Sequence, residues 1–148
     1  MAVGANLGDR EATIRAALEK LEALPGVSVQ AVSRLIETDP VGPVPDQPRF
    51  LNGAVRLETT LTPRELLEAL LRVEAELGRV REGRTGGPRI IDLDLLLFEE
   101  RQLDEPGLIL PHPRLHERRF VLEPLLELEP GLKVPGKGTV EGLLARLD

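Results

Sequence analysis

Two aspartates, Asp92 and Asp94, stand one residue apart in a run that is otherwise aliphatic or aromatic, from Ile90 to Phe98. In an extended run, alternate residues share a face. The two carboxylates would then lie side by side, roughly 6–7 Å apart at Cα, with Ile90, Leu96 and Phe98 on their face and Ile91, Leu93, Leu95 and Leu97 on the other. A helix would throw the two acids to nearly opposite sides. Carboxylates in apolar surroundings are costly unless their charge is compensated, and Mg2+ takes oxygen ligands of this kind. A bare Asp-x-Asp is more often a solvated sheet face. The preceding segment shifts that balance: Arg79, Arg81, Arg84 and Arg89 face only Glu82 there, interleaved with Gly83, Gly86 and Gly87. Guanidinium groups match phosphate oxygens in pairs, and glycines let a loop close over a ligand. Arginines beside a carboxylate pair are what phosphoryl transfer uses, because its catalysis is mostly positioning and charge neutralisation. No GxxxxGK[ST] occurs, which excludes a P-loop enzyme.

A second basic cluster runs from Pro111 to Phe120 and holds both histidines, His112 and His116, with Arg114, Arg118 and Arg119. Each residue alone reads as a structural histidine or a solvated helix face; together they suggest a second grip on phosphate. A zinc site lacks a third ligand, since the chain has no cysteine. Phe50-Leu-Asn52 follows a segment with four prolines (Thr38–Pro48), too long for a simple hairpin. Only three aromatic residues exist, and Phe50 and Phe120 both flank these polar stretches. A flat heteroaromatic ligand could lie between two such rings while the Asn52 amide offers paired hydrogen bonds, although either Phe alone would more simply be core.

The chain has 148 residues, a formal charge of −6 and no cysteine. That length fits one domain spanning 1–148. The charge disfavours a general binder of nucleic acid or anionic membrane. With no signal peptide and no apolar run long enough for a bilayer, a soluble cytoplasmic protein is expected.

The elements that must carry these residues follow from periodicity. A short apolar start gives way to Gly4–Asp9, with Asp9 as a helix N-cap before Ile14, Ala17, Leu18 and Leu21. Val27 to Glu37 reads as a strand, with Val27, Val29 and Ala31 on one face. Phe50 to Glu58 reads as another. Thr62-Pro63-x-Glu65 opens a capped helix whose stripe of Leu66, Leu67, Leu70, Leu71 and Val73 ends at Gly78. The Asp92/Asp94 strand comes next. Leu115 to Leu128 looks helical, with Pro124 inside it, and Thr139 caps a terminal helix. This order predicts an α+β fold: a ferredoxin-like antiparallel sheet with two helices packed on one face and additional C-terminal helical material. The sheet's other face would be open, and Asp92 and Asp94 would lie on it.

Six ordered motifs carry a resemblance over nearly the whole chain: Gly4-Ala-Asn-Leu-Gly-Asp9, Thr38-x-Pro-Val-Gly42, Asp46-Gln-Pro-x-Phe-Leu-Asn52, Gly78-Arg-x-Arg81, Gly87-Pro-Arg-x-Ile-Asp-Leu-Asp94 and Pro111-His112. The sequence resembles the 6-hydroxymethyl-7,8-dihydropterin pyrophosphokinases of folate biosynthesis. The resemblance implies transfer of the β,γ-pyrophosphoryl group of ATP to the pterin hydroxymethyl, releasing AMP. It implies two Mg2+ ions on Asp92 and Asp94, and catalytic arginines at Arg79 and Arg89. Implied ATP contacts are Glu74, Arg81, Arg84, Arg89, Leu95, His112 and Arg118. Implied pterin contacts are Thr38, Val41, Gly42, Phe50, Asn52 and Phe120. A monomer is expected, with no nucleic-acid or membrane partner. Two rivals are a non-catalytic module binding a small anion, which leaves two acids in an arginine field unexplained, and a two-metal nuclease, which the negative charge and three lysines disfavour.

Overall fold

The computed structural model describes residues 1–6, 8–39, 49–78 and 91–147. Strand β1 (Ala2–Ala5) leads to helix α1 (Arg10–Glu22), where Asp9 caps the helix by accepting from the Ala12 N–H at 3.1 Å. Strands β2 (Val27–Val32), β3 (Ile36–Thr38) and β4 (Phe50–Thr59) follow. Helix α2 (Pro63–Glu76) begins with the expected capping box. Thr62 Oγ1 accepts from the Glu65 N–H at 3.2 Å, and Glu65 Oε1 accepts from the Thr62 N–H at 2.9 Å. Gly78, at φ 89°, ends the helix in a conformation that favours glycine.

Strand β5 covers only Asp92–Asp94, shorter than the Ile90–Phe98 run suggested. A hairpin of β6 (Leu103–Glu105) and β7 (Leu108–Leu110) comes next. After it come a 3-10 turn at Leu115–Glu117 and helix α3 (Arg119–Leu128), two elements where periodicity suggested one helix from Leu115. A small hairpin of β8 (Lys133–Val134) and β9 (Gly138–Thr139) precedes helix α4 (Val140–Leu147), capped by Thr139 as expected.

The main sheet runs β2-β4-β1-β5, with β3 beside the first part of β4, and its pairings are antiparallel. The fold is therefore α+β around an antiparallel sheet. Between Val29 and Ala31 the β2–β4 register slips by one residue. The slip turns Ala31 away from the face it was expected to share with Val27 and Val29, as a bulge must when side chains alternate with period two.

Helices α1 and α2 cover one face. Ile14, Leu21, Leu66, Leu70 and Val73 pack there against Val3, Val55, Ile91, Leu93 and Leu95. Burial of a large aliphatic side chain stabilises by roughly 1.5–3 kcal/mol, so Ile91, Leu93 and Leu95 help to anchor a short strand that, among the described residues, pairs with β1 alone. The opposite face is not wholly open, which corrects the sequence reading. A second core of Leu115, Val121, Leu122, Leu125, Val140 and Leu143 packs over Ala54 and Leu96. Helical periodicity identifies the apolar stripe of α3 but not the surface it meets.

Past Asp94 the alternation breaks. Leu95 and Phe98 pack with the first core, Leu96 and Leu97 with the second. Phe98 and Leu97 have thus exchanged the faces expected of them, because the chain leaves extended geometry after β5 and joins both cores. Among the described residues, no helix is long and apolar enough to cross a membrane.

Candidate active site

Strand register assembles the site. Asp92 pairs with Gly4, Gly4 with Asn52, and Asn52 with Ile36, so one row of side chains crosses β5, β1, β4 and β3 on a single face. Strand spacing puts Asp92 and Asn52 roughly 10 Å apart across Gly4, a gap that suits a small ligand. One row outward, Thr38 pairs with Phe50 on the same face. One row inward, Asp94 pairs with Ala2 and Ala2 with Ala54, where the second core begins. Asp92 and Asp94 are both half-buried, at the border between that core and solvent. Among the described residues, no group of three or more His, Cys, Asp or Glu side chains comes together at metal-ligating distance.

Gly4 is the floor of this row. A Cβ there would lie 2.5 Å from Asn52 Oδ1, so the Asn52 side chain can lean across only because position 4 has none. Asn52 Nδ2 in turn donates to Thr38 Oγ1. Gly4 lies within β1, and its place under Asn52 depends on a cross-strand register that local pattern does not contain. Gly4→Ala is expected to displace the Asn52 amide and raise the KM for the ligand held there about tenfold or more. Its unfolding free energy should change by no more than about 1 kcal/mol, because the colliding atom ends a rotatable side chain. Steady-state kinetics with urea denaturation checks this, and an unchanged KM would place the ligand elsewhere.

His112 follows the cis Leu110–Pro111 bond, and its N–H donates to Leu96 O at 2.9 Å, which brings it beside the stretch that follows Asp94. The Arg114 N–H donates to His112 Nδ1 at 3.2 Å, so in the neutral ring Nε2 carries the proton. Burial lowers the pKa of His112 below its ordinary value; Arg118 adds to this, Asp92 opposes it, and Arg114 depresses it further. The imidazole is therefore neutral at pH 7 and offers a neutral donor. Its electrostatic partners also bring Asp92 and Arg118 into one neighbourhood. Arg118 precedes α3 and lies over the Phe120 ring, 5.9 Å from its centroid. Phe120 is half-buried against the second core.

Glu74 and Leu95 sit differently from the others. Glu74 on α2 is 1% exposed and Leu95 is buried in the first core. The expected site residues Val41, Gly42, Arg79, Arg81, Arg84 and Arg89 lie outside the described residues. A network that periodicity could not reveal ties the flanks of residues 40–48. Arg10 donates to Glu37 at 2.8 Å and to Arg49 O at 2.9 Å, while Arg49 bridges Glu37 at 3.1 Å and Asp39 at 3.3 Å. Arg10 holds the Glu37 carboxyl below its ordinary range, mainly through that hydrogen bond.

Comparison with known proteins gives the site a context. The family model for 7,8-dihydro-6-hydroxymethylpterin-pyrophosphokinase matches residues 1–130. A protein of Pseudomonas aeruginosa named 2-amino-4-hydroxy-6-hydroxymethyldihydropteridine pyrophosphokinase is 48% identical over 145 residues, 98% of this chain and 88% of that protein. Proteins of the same name are 48% identical in Methylorubrum extorquens, over 100% of this chain and 92% of that one, and 51% identical in Bacillus subtilis, over 86% and 75%.

Proposed function

The chain belongs to the 7,8-dihydro-6-hydroxymethylpterin-pyrophosphokinase family, and from that premise we propose how its residues divide the reaction. The enzyme transfers pyrophosphate from ATP to the hydroxymethyl group of 6-hydroxymethyl-7,8-dihydropterin in folate synthesis. The pterin hydroxyl loses its proton and forms a bond to the β-phosphorus. The bond from that phosphorus to the α,β-bridging oxygen breaks, and AMP leaves with the electron pair.

The reading rests on one observation above all: Asp92 and Asn52 face each other across Gly4 in a single row, with Asp94 beside Asp92. Asn52, Thr38 and Phe50 hold the pterin at one end, with Phe120 as the second ring and Val41 and Gly42 lining the pocket. Asp92 and Asp94 would hold two Mg2+ ions at the other. The donor set suits the ion, since Mg2+ keeps several waters and binds through one or two carboxylates plus substrate phosphates. The chemistry it supplies when bound is neutralisation of phosphate charge and alignment of the attacking and leaving oxygens. His112 Nε2–H and Arg118 bind phosphate oxygens, one as a neutral donor and one as a charge. Arg79 and Arg89 meet the charge that develops on transfer, and Arg81, Arg84 and Leu95 contact ATP.

We further read the architecture as ferredoxin-like and 1–148 as one domain, supported by the sheet order β2-β4-β1-β5 with α1 and α2 on one face. The enzyme acts as a cytoplasmic monomer without nucleic acid or membrane as partner. The test is to incubate the protein with Mg-ATP and the reduced pterin alcohol and identify the nucleotide product. AMP is expected. ADP would mean an ordinary kinase, and unchanged ATP a binding module.

A further inference from the structure

Glu74 is the one acidic side chain among the described residues that is buried, at 1% exposure on α2 between the core residues Leu70 and Val73 and the helix end. A carboxylate there is costly unless hydrogen bonds compensate it. One of its bonds is to the strand that carries the acid pair: Glu74 Oε2 accepts from the Leu93 N–H at 2.7 Å. Leu93 lies between Asp92 and Asp94, and its own side chain is 3% exposed in the first core. Among the described residues, strand β5 is the last on the sheet path and pairs with β1 alone, so N–H groups on its outer edge meet no described strand.

We propose that Glu74 is a positioning residue that fixes the backbone between Asp92 and Asp94, and so the spacing and direction of the two carboxylates that take Mg2+. This rests on the reading of Asp92 and Asp94 as the metal pair. It also departs from what the family resemblance implied, a contact between Glu74 and the nucleotide. The mechanism is geometric. With β1 on one side and Glu74 on the other, the short strand cannot roll about its axis, and two carboxylates on successive outward positions keep one separation. A metal site tolerates little slack, and a shell left loose by about 1 Å costs binding and rate.

Two substitutions separate reach from charge. Glu74→Asp keeps the charge but withdraws the carboxylate by one methylene, whereas Glu74→Gln keeps the length and an acceptor oxygen but loses the charge. In the metal-free Asp variant, Leu93 amide exchange followed by NMR should be at least tenfold faster than in the parent. Binding of Mn2+ in the presence of a non-hydrolysable ATP analogue, read by water proton relaxation, should weaken about tenfold. The kcat should fall by a similar factor while the pterin KM stays within twofold. The Gln variant should stay within about threefold of the parent in all four. Faster exchange at Leu93 with unchanged Mn2+ binding would overturn the proposal, and so would a Gln variant as impaired as the Asp variant. A raised ATP KM with unaltered Mn2+ binding would return Glu74 to the nucleotide. Asp92→Ala run alongside tests the underlying reading separately: if its Mn2+ binding is normal, the metal assignment fails whatever the Glu74 variants do.

Discussion

Replacing Asp92 with alanine is expected to lower kcat by roughly 10³-fold, while the protein still unfolds cooperatively within about 1 kcal/mol of the parent. The magnitude follows from the several kcal/mol of transition-state charge that a metal pair neutralises in phosphoryl transfer. Stability should be spared because Asp92 is half-buried and faces the ligand row over Gly4, whereas the residues that fasten its strand, Ile91 and Leu93, belong to the first core. Asp94→Ala should cost as much in turnover but is not as neutral in the fold, since Asp94 borders the second core and its charge acts on the Met1 amine. Steady-state AMP formation over a range of Mg2+, paired with urea denaturation, measures both. Near-normal turnover by either variant would remove the metal role from that residue.

The placement of these acids was legible because it depends on a period. Once Ile91, Leu93 and Leu95 are assigned to a core, Asp92 and Asp94 must share the opposite face, and the structure puts those three leucine-type residues in the first core. The caps at Asp9, Thr62 and Thr139 were equally readable, since a cap is fixed by residues three or four apart. Illegible features depend on which distant segments meet. The bulge at Val29/Ala31, the reversal of faces after Asp94 and the packing of α3 over Ala54 are all decided by partners far away in the sequence. The same holds for the site: Asn52 and His112 could be picked out by type, but Gly4 beneath Asn52 and the Glu74 bond to Leu93 appear only with the register in hand. Periodicity reports the face of an element and is silent about its neighbour.

The Met1 amine offers a second large effect, on stability. It is buried, donates to Val55 O at 3.0 Å, and has a pKa lowered from the usual 8.0 to about 5, chiefly by burial and against the pull of Asp94. A base depressed on folding binds its proton more readily in the unfolded chain. Between pH 5 and 8 the unfolded state therefore holds more protons, and stability should rise with pH across that window by as much as ~4 kcal/mol at about 1.36 kcal/mol per unit. His112, also depressed, adds a change of the same sign only below its ordinary 6.5, and the lowered Glu37 and Glu127 carboxyls act only below 4.5. The interval from pH 6.5 to 8 therefore isolates the amine, with roughly 2 kcal/mol expected there. Urea denaturation at pH 5, 6.5 and 8 measures the slope, and an Nα-acetylated chain, which has no proton to bind, should be flat from 6.5 to 8. Equal slopes in both forms would refute the assignment. Asp94→Ala should leave the 6.5–8 interval unchanged and steepen the slope only toward pH 5, because the carboxylate that helps the folded amine keep its charge is gone, and that change would couple the edge of the acid pair to the stability of β1.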